Sequence, residues 1–204
     1  MSEIYEIIDK KKLDVVSNSI EESHGLPNEC YTSEKYTKLE RKKLFEDKWV
    51  VIGVASSIPN KGDAKPFDLL GIPLIILRDK ENKVRIFHNV CSHRGYKILQ
   101  KECKIKNVLR CPYHSWSYDT KGKLIATPHI GGMNKHECKK FDKSKSGLKE
   151  VRSSVWLDMI FINLSNNEIN FNEYIKPLSD RWEKFWPTKD RNLIVYSNDF
   201  GYFN

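Results

Sequence analysis

The feature that most constrains this sequence is a set of two short pairs of cysteine and histidine, Cys91 with His93 and Cys111 with His114. The two pairs can meet if each lies on its own loop at one end of a small β structure. Thiolates are soft ligands suited to ferric iron and sulfide, and neutral imidazoles can hold a second iron without adding negative charge. The pattern therefore predicts a [2Fe-2S] cluster, with Cys91 and Cys111 on one iron and His93 and His114 on the other.

Structural zinc is the alternative interpretation, because two cysteines and two histidines also form a closed tetrahedral site. Zinc fingers usually place both cysteines before both histidines, with at least two residues inside each pair. Here the order is Cys, His, Cys, His, and only Ser92 lies inside the first pair. The pattern thus favours the cluster over a zinc-stabilised interaction domain.

Residues 48–165 alternate short β-rich runs with turn-rich segments, which predicts an antiparallel β domain. The polar segments 80–83 and 120–123 have the composition of tight hairpin connections. The predicted fold class of the chain is mainly β with flanking helices (α+β), with the cluster carried on two loops. The predicted strands are Trp49–Ala55, Leu74–Arg78, Val84–His88, Val108–Cys111, Trp116–Asp119, Lys123–Thr127, Leu148–Ser153 and Val155–Asn163.

Residues 1–47 are predicted to form a helical N-terminal extension, because they contain few Gly or Pro and space their apolar side chains as a helix does. Thr32 and Ser33 are candidate N-caps for a second helix that runs towards Phe45.

The third expected region, residues 166–204, combines a helix with a final strand at residues 200–204. The helix is predicted at residues 172–185 and should stop at Pro187, which cannot continue a helix. Its expected buried face consists of Leu178, Trp182 and Phe185.

The segments Cys91-Ser92-His93-Arg94-Gly95 and Cys111-Pro112-Tyr113-His114-Ser115-Trp116 resemble the cluster-binding boxes of Rieske non-haem iron oxygenases, specifically of their α subunits, as in the aromatic-ring-hydroxylating dioxygenases. The resemblance covers roughly residues 40–204. Two positions depart from the family pattern, since Ser115 and Asp158 stand where the family usually has Gly. Further segments that follow in the family's order are Lys48–Gly53, Gly71–Pro73, Tyr118–Asp119, Gly147–Leu148 and Phe161–Leu164.

The resemblance implies a role in electron transfer. A reductase or ferredoxin fed by NAD(P)H would deliver single electrons to the cluster, and His114 would pass them to a mononuclear iron on the next subunit of a homotrimer. In the family that iron lies in a second domain, held by two histidines and one carboxylate. We expect this domain to be absent from the chain, so no catalytic residue is predicted. A stand-alone Rieske electron carrier is the alternative, although it would not need the helical extension.

The resemblance also bears on the reduction potential. Tyr96 and Tyr113 stand where respiratory Rieske proteins carry an extra disulfide, and Trp116 stands where they place a serine whose hydroxyl bonds to the cluster. These differences favour the oxygenase type. They also predict a potential in the lower part of the range of roughly −150 to +300 mV that such centres span.

Other candidate ligands are interpreted as ordinary residues. His129 and His136 with Glu137 lie in a loop rich in Lys and Gly, and we interpret them as surface residues rather than as an iron site. The other three cysteines have no partner at metal-ligand spacing and are expected to be reduced thiols. They are Cys30, Cys103 and Cys138.

The chain carries 35 basic and 27 acidic residues, a net charge of +8. The basic residues are spread along the chain without the interleaved aromatic residues that are typical of nucleic-acid binding. We therefore expect their side chains to face solvent or an acidic protein partner. The longest apolar stretches fall far short of the ~20 residues that cross a bilayer. Without a secretory signal pattern at the N-terminus, we expect a cytoplasmic location and no membrane association.

Overall fold

The structure, a computed structural model, describes residues 3–165 and 169–185. The chain divides into two compact units. Among the described residues, the first unit comprises residues 3–50 and 163–165, and the second comprises residues 51–162 and 169–185.

The first unit is helical, as predicted for the N-terminal region. The Ser33 hydroxyl accepts a hydrogen bond from the backbone N–H of Tyr36 (3.3 Å) and so caps the longest α-helix of this unit. That helix continues into a π-helical turn, whose Arg41 and Glu46 side chains form an ion pair at 3.1 Å. The helical segments are a 3₁₀ helix at Glu3–Glu6, α1 at Lys10–Asp14, a 3₁₀ helix at Val15–Ser17, α2 at Glu29–Thr32, α3 at Glu34–Glu40 and the π-helical turn at Arg41–Glu46.

In the part of the chain that the structure describes, the strands form two mostly antiparallel sheets, which confirms the predicted fold class. The strands are β1 (Val50–Val54), β2 (Asp63–Leu69), β3 (Ile72–Arg78), β4 (Val84–His88), β5 (Cys103–Lys104), β6 (Val108–Arg110), β7 (Ser117–Asp119), β8 (Leu124–Ala126), β9 (Glu150–Trp156) and β10 (Met159–Asn163). Seven strands form the larger sheet in the order β1-β10-β9-β4-β3-β2-β5, and the other three form the smaller sheet in the order β6-β7-β8. Short 3₁₀ helices lie at Ala55–Ser57 and Lys143–Lys145.

Both predicted hairpin connections are present, and they share one hydrogen-bond pattern. Asp79 opens the turn between β3 and β4, and Asp119 opens the turn between β7 and β8. One carboxylate oxygen of each accepts the backbone N–H groups two and four residues later, at 2.8–2.9 Å. The fourth residue of each turn has positive φ, 69° at Asn82 and 81° at Gly122, a conformation that Asn and Gly adopt most readily.

A hydrophobic core lies under the loops that carry the predicted ligands. The middle of β3, residues 74–77, is fully buried, as expected of a strand covered on both faces. The core cluster joins β3 and β4 to the smaller sheet and includes both Cys91 and Cys111. Their backbones are therefore held by the packing of the domain. The other members of the cluster are Ala64, Ile75, Leu77, Phe87, Ile98, Leu99, Leu109, Trp116, Tyr118, Leu124 and Leu148.

Two strands, β2 and β5, were not predicted. β2 contains Pro66, which lacks a backbone N–H and normally indicates a loop or a sheet edge. The proline is accommodated because β5 pairs only with Asp63 and Ala64 and leaves the rest of that side of β2 uncovered by a strand. β5 itself is two residues long, too short for a sequence pattern.

The hairpin of β9 and β10 turns three to four residues later than predicted, at Leu157 and Asp158 rather than near Ser154. Both turn residues have positive φ, 48° and 67°. Such turns usually contain Asn and Gly, and neither residue type occurs at these two positions, so no turn was predicted here. The strain is partly offset because the Asp158 carboxylate accepts hydrogen bonds from the backbone N–H and hydroxyl of Ser56 (3.0 and 2.5 Å).

The predicted C-terminal helix is present as α4 (Phe171–Phe185), but its buried face is different. Phe171 and Ile175 are buried, and the Phe171 ring contacts Phe161. The predicted face is wrong, since Leu178, Trp182 and Phe185 are 47%, 38% and 79% exposed. The core ends beneath the first turns of α4, so helical spacing alone could not locate the covered part. The predicted stop at Pro187 and the strand at residues 200–204 lie outside the described residues.

None of the helices among residues 3–165 and 169–185 is both long and apolar enough to span a bilayer.

Candidate metal centre

The two boxes fold into loops with matching backbone hydrogen bonds. In the first loop, the Cys91 N–H donates to the carbonyl five residues later, and the Gly95 N–H donates back to the Cys91 carbonyl (both 2.9 Å). In the second loop, Cys111 and Ser115 make the corresponding bonds at 2.8 and 3.0 Å. Each loop is thus closed by its own backbone, with the cysteine at its base.

Each loop needs a residue in the left-handed region to make this closure. Gly95 has φ 71°, and Ser115 has φ 59°. Glycine adopts such values without a steric penalty, whereas a residue with a Cβ carries a cost of roughly 1–2 kcal/mol. The departure from the family pattern at Ser115 therefore falls at a position where the backbone favours glycine.

The thiols of Cys91 and Cys111 are 3% and 1% exposed, and neither cysteine is in a disulfide. The two side chains are close enough to interact electrostatically. Burial raises the pKa of the Cys111 thiol, and the backbone N–H groups of Tyr113 and His114 oppose this rise by hydrogen bonding to its sulfur. A thiolate at this position would therefore already have two donors.

The two imidazoles lie side by side, nearer to the surface than the thiols. The ring centroids of His93 and His114 are 4.8 Å apart. Trp116 stacks on His93 at 4.6 Å with an interplanar angle of 8°, and Tyr113 covers His114 at 3.7 Å. The aromatic neighbours thus restrict the orientation of both imidazoles.

His93 presents an unsatisfied ring nitrogen. Its Nδ1 is buried and has no hydrogen-bond partner in the described part of the chain. Burial, together with the charges of His114 and Arg94, lowers the pKa of His93 and favours the neutral imidazole that a metal requires. Buried polar atoms nearly always have a partner, and a metal ion would supply one. The site therefore fits an iron bound at the His93 imidazole.

The donors form two pairs, one of thiols and one of imidazoles. Within residues 3–165 and 169–185, no three or more His, Cys, Asp or Glu side chains are grouped as ligands of one ion. A dinuclear cluster that takes two protein ligands on each iron matches paired donors.

Tyr118 contacts the predicted ligand Cys91 but was not among the predicted site residues. Its buried hydroxyl lies 3.2 Å from Cys91 Sγ and 2.9 Å from Ser92 Oγ, and it accepts the Ser92 N–H at 3.1 Å. The Ser92 hydroxyl donates its own proton to the Ser146 carbonyl (2.6 Å). A Cys91 thiolate has no proton, and the Ser92 proton is directed to Ser146, so the single Tyr118 proton would be shared between Cys91 Sγ and Ser92 Oγ. Burial raises the pKa of the Tyr118 hydroxyl, which therefore keeps its proton. The sequence did contain one indication of this contact, because Tyr118 lies in a predicted strand of the β domain and a buried tyrosine hydroxyl usually has a hydrogen-bond partner.

Both imidazoles open into a cleft of about 720 Å³, which we call the imidazole cleft. Residues 128–130 line the cleft, as do Phe141 and Ser146. The remaining lining residues are Ser92, His93, Tyr113, His114, Ser115 and Trp116.

His129 and His136 are exposed, as predicted, and they stabilise a loop. His136 Nδ1 accepts the His129 N–H (3.1 Å), and His129 Nδ1 accepts the Asn134 N–H (3.0 Å). Their rings contact each other at 5.0 Å. The two histidines therefore stabilise, through their Nδ1 atoms, a loop whose residues 128–130 line the imidazole cleft.

The other cysteines are free thiols, as predicted, with Cys103 and Cys138 exposed and Cys30 half-buried. None of them lines the imidazole cleft.

Comparison with known proteins places this loop pair in a recognised domain. Residues 48–140 match the Rieske [2Fe-2S] domain family. The 2-aminobenzenesulfonate 2,3-dioxygenase subunit alpha of Alcaligenes sp is 31% identical over 158 residues, which are 77% of this chain and 39% of the relative. The carnitine monooxygenase oxygenase subunit of Escherichia coli (strain K12) is 28% identical over 158 residues, 78% of this chain and 41% of the relative.

A solved structure supports the same assignment. It is the structure of a quaternary ammonium Rieske monooxygenase, which was reported to give insight into carnitine oxidation by gut microbiota and into inter-subunit electron transfer. It aligns with a TM-score of 0.67 and 26% identity, over 78% of this chain and 42% of that one. The chain spans about two fifths of the length of the curated relatives that it matches.

Proposed function

Because this chain carries a Rieske [2Fe-2S] domain of the kind found in Rieske oxygenase α subunits, we propose that it accepts single electrons from a reductase or ferredoxin and passes them to a mononuclear iron. The observation that supports this most is the pair of buried thiols beside two imidazoles, one of which has an unpartnered buried nitrogen.

In this proposal Cys91 and Cys111 bind one iron, and His93 and His114 bind the other. The cluster supplies one-electron transfer when it is bound. The protein residues hold it in a defined position, since Trp116 and Tyr113 orient the imidazoles, and the Tyr118 hydroxyl lies within hydrogen-bond distance of the Cys91 sulfur.

His114 is the proposed exit for the electron. Its imidazole is exposed, whereas His93 is half-buried and both thiols are buried. A partner can therefore approach the cluster most closely at His114. Because inter-subunit electron transfer has been described for a related monooxygenase, we place the accepting iron on a neighbouring subunit, in a homotrimer.

The cluster assignment is tested by elemental analysis of protein purified without oxygen. We expect two irons and two acid-labile sulfides per chain, and one electron taken up per chain from reduced plant-type ferredoxin. Cys111→Ser should abolish both metal and sulfide, whereas Cys103→Ser, which changes an exposed cysteine, should retain them. Stoichiometric zinc without sulfide would instead establish the interaction domain.

A further inference from the structure

We propose that residues 127–137 form a pH-sensitive loop, which His129 and His136 hold closed at neutral pH and which opens when the two rings are protonated. This inference is independent of the proposed function, because it concerns how the loop is closed and not what the cluster does. It is carried by the hydrogen bonds that the two rings accept and by the strained backbone that these bonds hold.

Each of the two rings is tied to the backbone through its Nδ1 atom. The His129 N–H donates to His136 Nδ1 (3.1 Å), and the Asn134 N–H donates to His129 Nδ1 (3.0 Å). A backbone N–H can only donate, so each Nδ1 must be an acceptor without a proton. The closed loop therefore contains both rings in the neutral form, with the ring proton on Nε2.

Protonation of the rings removes both acceptors. A protonated ring carries hydrogen on both nitrogens, so its Nδ1–H would face a backbone N–H and the hydrogen bond would be lost. The two rings are in edge-to-face contact with centroids 5.0 Å apart, so two protonated rings would also repel each other. Histidine is the side chain that ordinarily changes charge between pH 5 and 8. The stability of the closed loop is thus present at neutral pH and is lost as the pH falls.

The backbone of the loop is strained at the two residues that the rings hold. His129 and Asn134 have φ 61° and 58°, in the left-handed region that is costly for a residue with a Cβ. These are the same two residues whose N–H groups donate to the rings. Loss of the two hydrogen bonds therefore leaves a backbone that favours opening.

Few other bonds keep the loop closed. Turn bonds join some of its own backbone groups, such as the Gly131 N–H to the Lys135 carbonyl (2.9 Å). Within residues 127–137, the one other side-chain hydrogen bond joins Thr127 Oγ1 to the His136 carbonyl at 3.4 Å, a long distance for such a bond. The rings therefore supply the strongest side-chain contacts of the loop.

No other charged group bonds to either ring in the part of the chain that the structure describes. No hydrogen bond or ring contact joins them to the proposed ligands His93 and His114. The Asp142 carboxylate accepts the N–H and hydroxyl of Ser144 instead (2.9 and 2.6 Å). The bonds to the backbone, rather than an ion pair, thus set the response to pH. The other titratable or charged groups of the loop, and of the segments that line the cleft with it, are Arg94, Tyr113, Lys135, Glu137, Cys138 and the four lysines of residues 139–145.

Opening of the loop changes the imidazole cleft. Residues 128–130 line the cleft, and Ile130 also packs against the core cluster. When the loop opens, these residues leave the lining and the cleft becomes wider. Access to the cleft therefore depends on pH.

The test is hydrogen exchange of the full chain, measured by mass spectrometry at about pH 7.5 and about pH 5.5, with labelling times scaled to the intrinsic exchange rate at each pH. A peptide spanning residues 127–138 reports on the loop, and a peptide spanning β3 reports on the core. We expect the loop peptide to exchange about tenfold faster at the lower pH, because an opening that takes up one proton shifts about tenfold for each pH unit below the titration. The β3 peptide should keep its protection.

Two double variants separate the rings from other causes. His129→Asn with His136→Asn places an amide oxygen where each Nδ1 accepts, and this oxygen does not titrate, so the loop should stay protected at both pH values. Asparagine also adopts positive φ readily. His129→Ala with His136→Ala offers no acceptor, so its loop should exchange fast at both pH values. The matched control is His24→Asn, which changes an exposed histidine of the helical unit and should keep the pH response of the unmodified chain.

Four results would overturn the proposal. Equal protection of the loop at both pH values in the unmodified chain would do so, and so would a loop that stays protected in the alanine variant. A pH response that persists in the asparagine variant would assign that response to another group. Loss of protection in the β3 peptide together with the loop peptide would show acid unfolding of the domain rather than opening of the loop.

Discussion

At the scale of single residues, Tyr118 is expected to adjust the redox behaviour of the site. Hydrogen bonds to cluster sulfurs favour the reduced, more negative state and raise the potential. Tyr118→Phe removes the hydroxyl 3.2 Å from Cys91 Sγ. We therefore expect the midpoint potential to fall while the iron content stays the same, as measured by a titration followed by electron paramagnetic resonance.

The control for this change is Tyr96→Phe. The Tyr96 hydroxyl bonds to the Gln100 side chain (3.1 Å), so its loss should leave the potential unchanged. Equal shifts in the two variants would show that the contact between Tyr118 and the sulfur has no electronic role.

The left-handed backbone of Ser115 makes a second prediction. Ser115→Gly relieves a conformational cost at φ 59°, and we expect the free energy of unfolding to rise by about 1 kcal/mol in urea denaturation. The reverse exchange in the first loop, Gly95→Ser, should lower it by a similar amount. A Cβ at Gly95 meets no atom within 4 Å, so that loss would report backbone conformation rather than a clash. A destabilising Ser115→Gly would mean that the serine hydroxyl matters more than the backbone.

At the scale of elements, the turn between β3 and β4 is expected to make stability depend on pH. Asp79 is fully buried, and burial alone would raise its pKa; the ion pair with Arg85 (2.7 Å) and the turn N–H groups outweigh this and lower the pKa. A lowered pKa in the folded state gives stability that is present above the unfolded value of about 3.9 and is lost as pH falls through the folded value.

Asp79→Asn should therefore lower the free energy of unfolding at pH 7 by about 2 kcal/mol and flatten its decline below pH 4. Asp119→Asn is the matched control. Asp119 makes the same turn bonds, and it forms no salt bridge in the part of the chain that the structure describes, so its loss should cost less. Urea denaturation at pH 7 and below pH 4 measures the free energy of unfolding of both variants. Equal losses in the two variants would show that the ion pair with Arg85 does not contribute to stability.

The same elements show what sequence can predict here. The turns at Asp79 and Asp119 were predictable because an Asp followed three residues later by Asn or Gly favours this turn through local hydrogen bonds. The turn at Leu157 and Asp158 was not, because its stability comes from Ser56, about a hundred residues away. Likewise, the cysteines and histidines were visible as a spaced pattern. The Tyr118 contact was not, since it joins a loop to a strand 27 residues later.

At the scale of the whole molecule, metal binding should stabilise the β domain. Both proposed thiolate ligands belong to its core cluster, so the cluster would connect the two loops from within. A ligand present at 100 times its dissociation constant adds about 2.7 kcal/mol, which corresponds to roughly 5–10 °C in Tm for a chain of this size. Chelator-treated protein should therefore melt at least about 5 °C below the loaded protein by circular dichroism. Identical Tm values would mean that the fold does not depend on the metal.

The depth of the thiols also fixes how the cofactor reaches them once the chain has folded. Both sulfurs are shielded by the core, while the imidazoles open to the cleft. A scaffold protein that delivers a preassembled cluster must then approach through the cleft, pass the histidines and reach the cysteines last. The face at His114, which we assign to electron exit, would thus be occupied first by the protein that delivers the cluster, and the neighbouring subunit could bind there only after that protein has left.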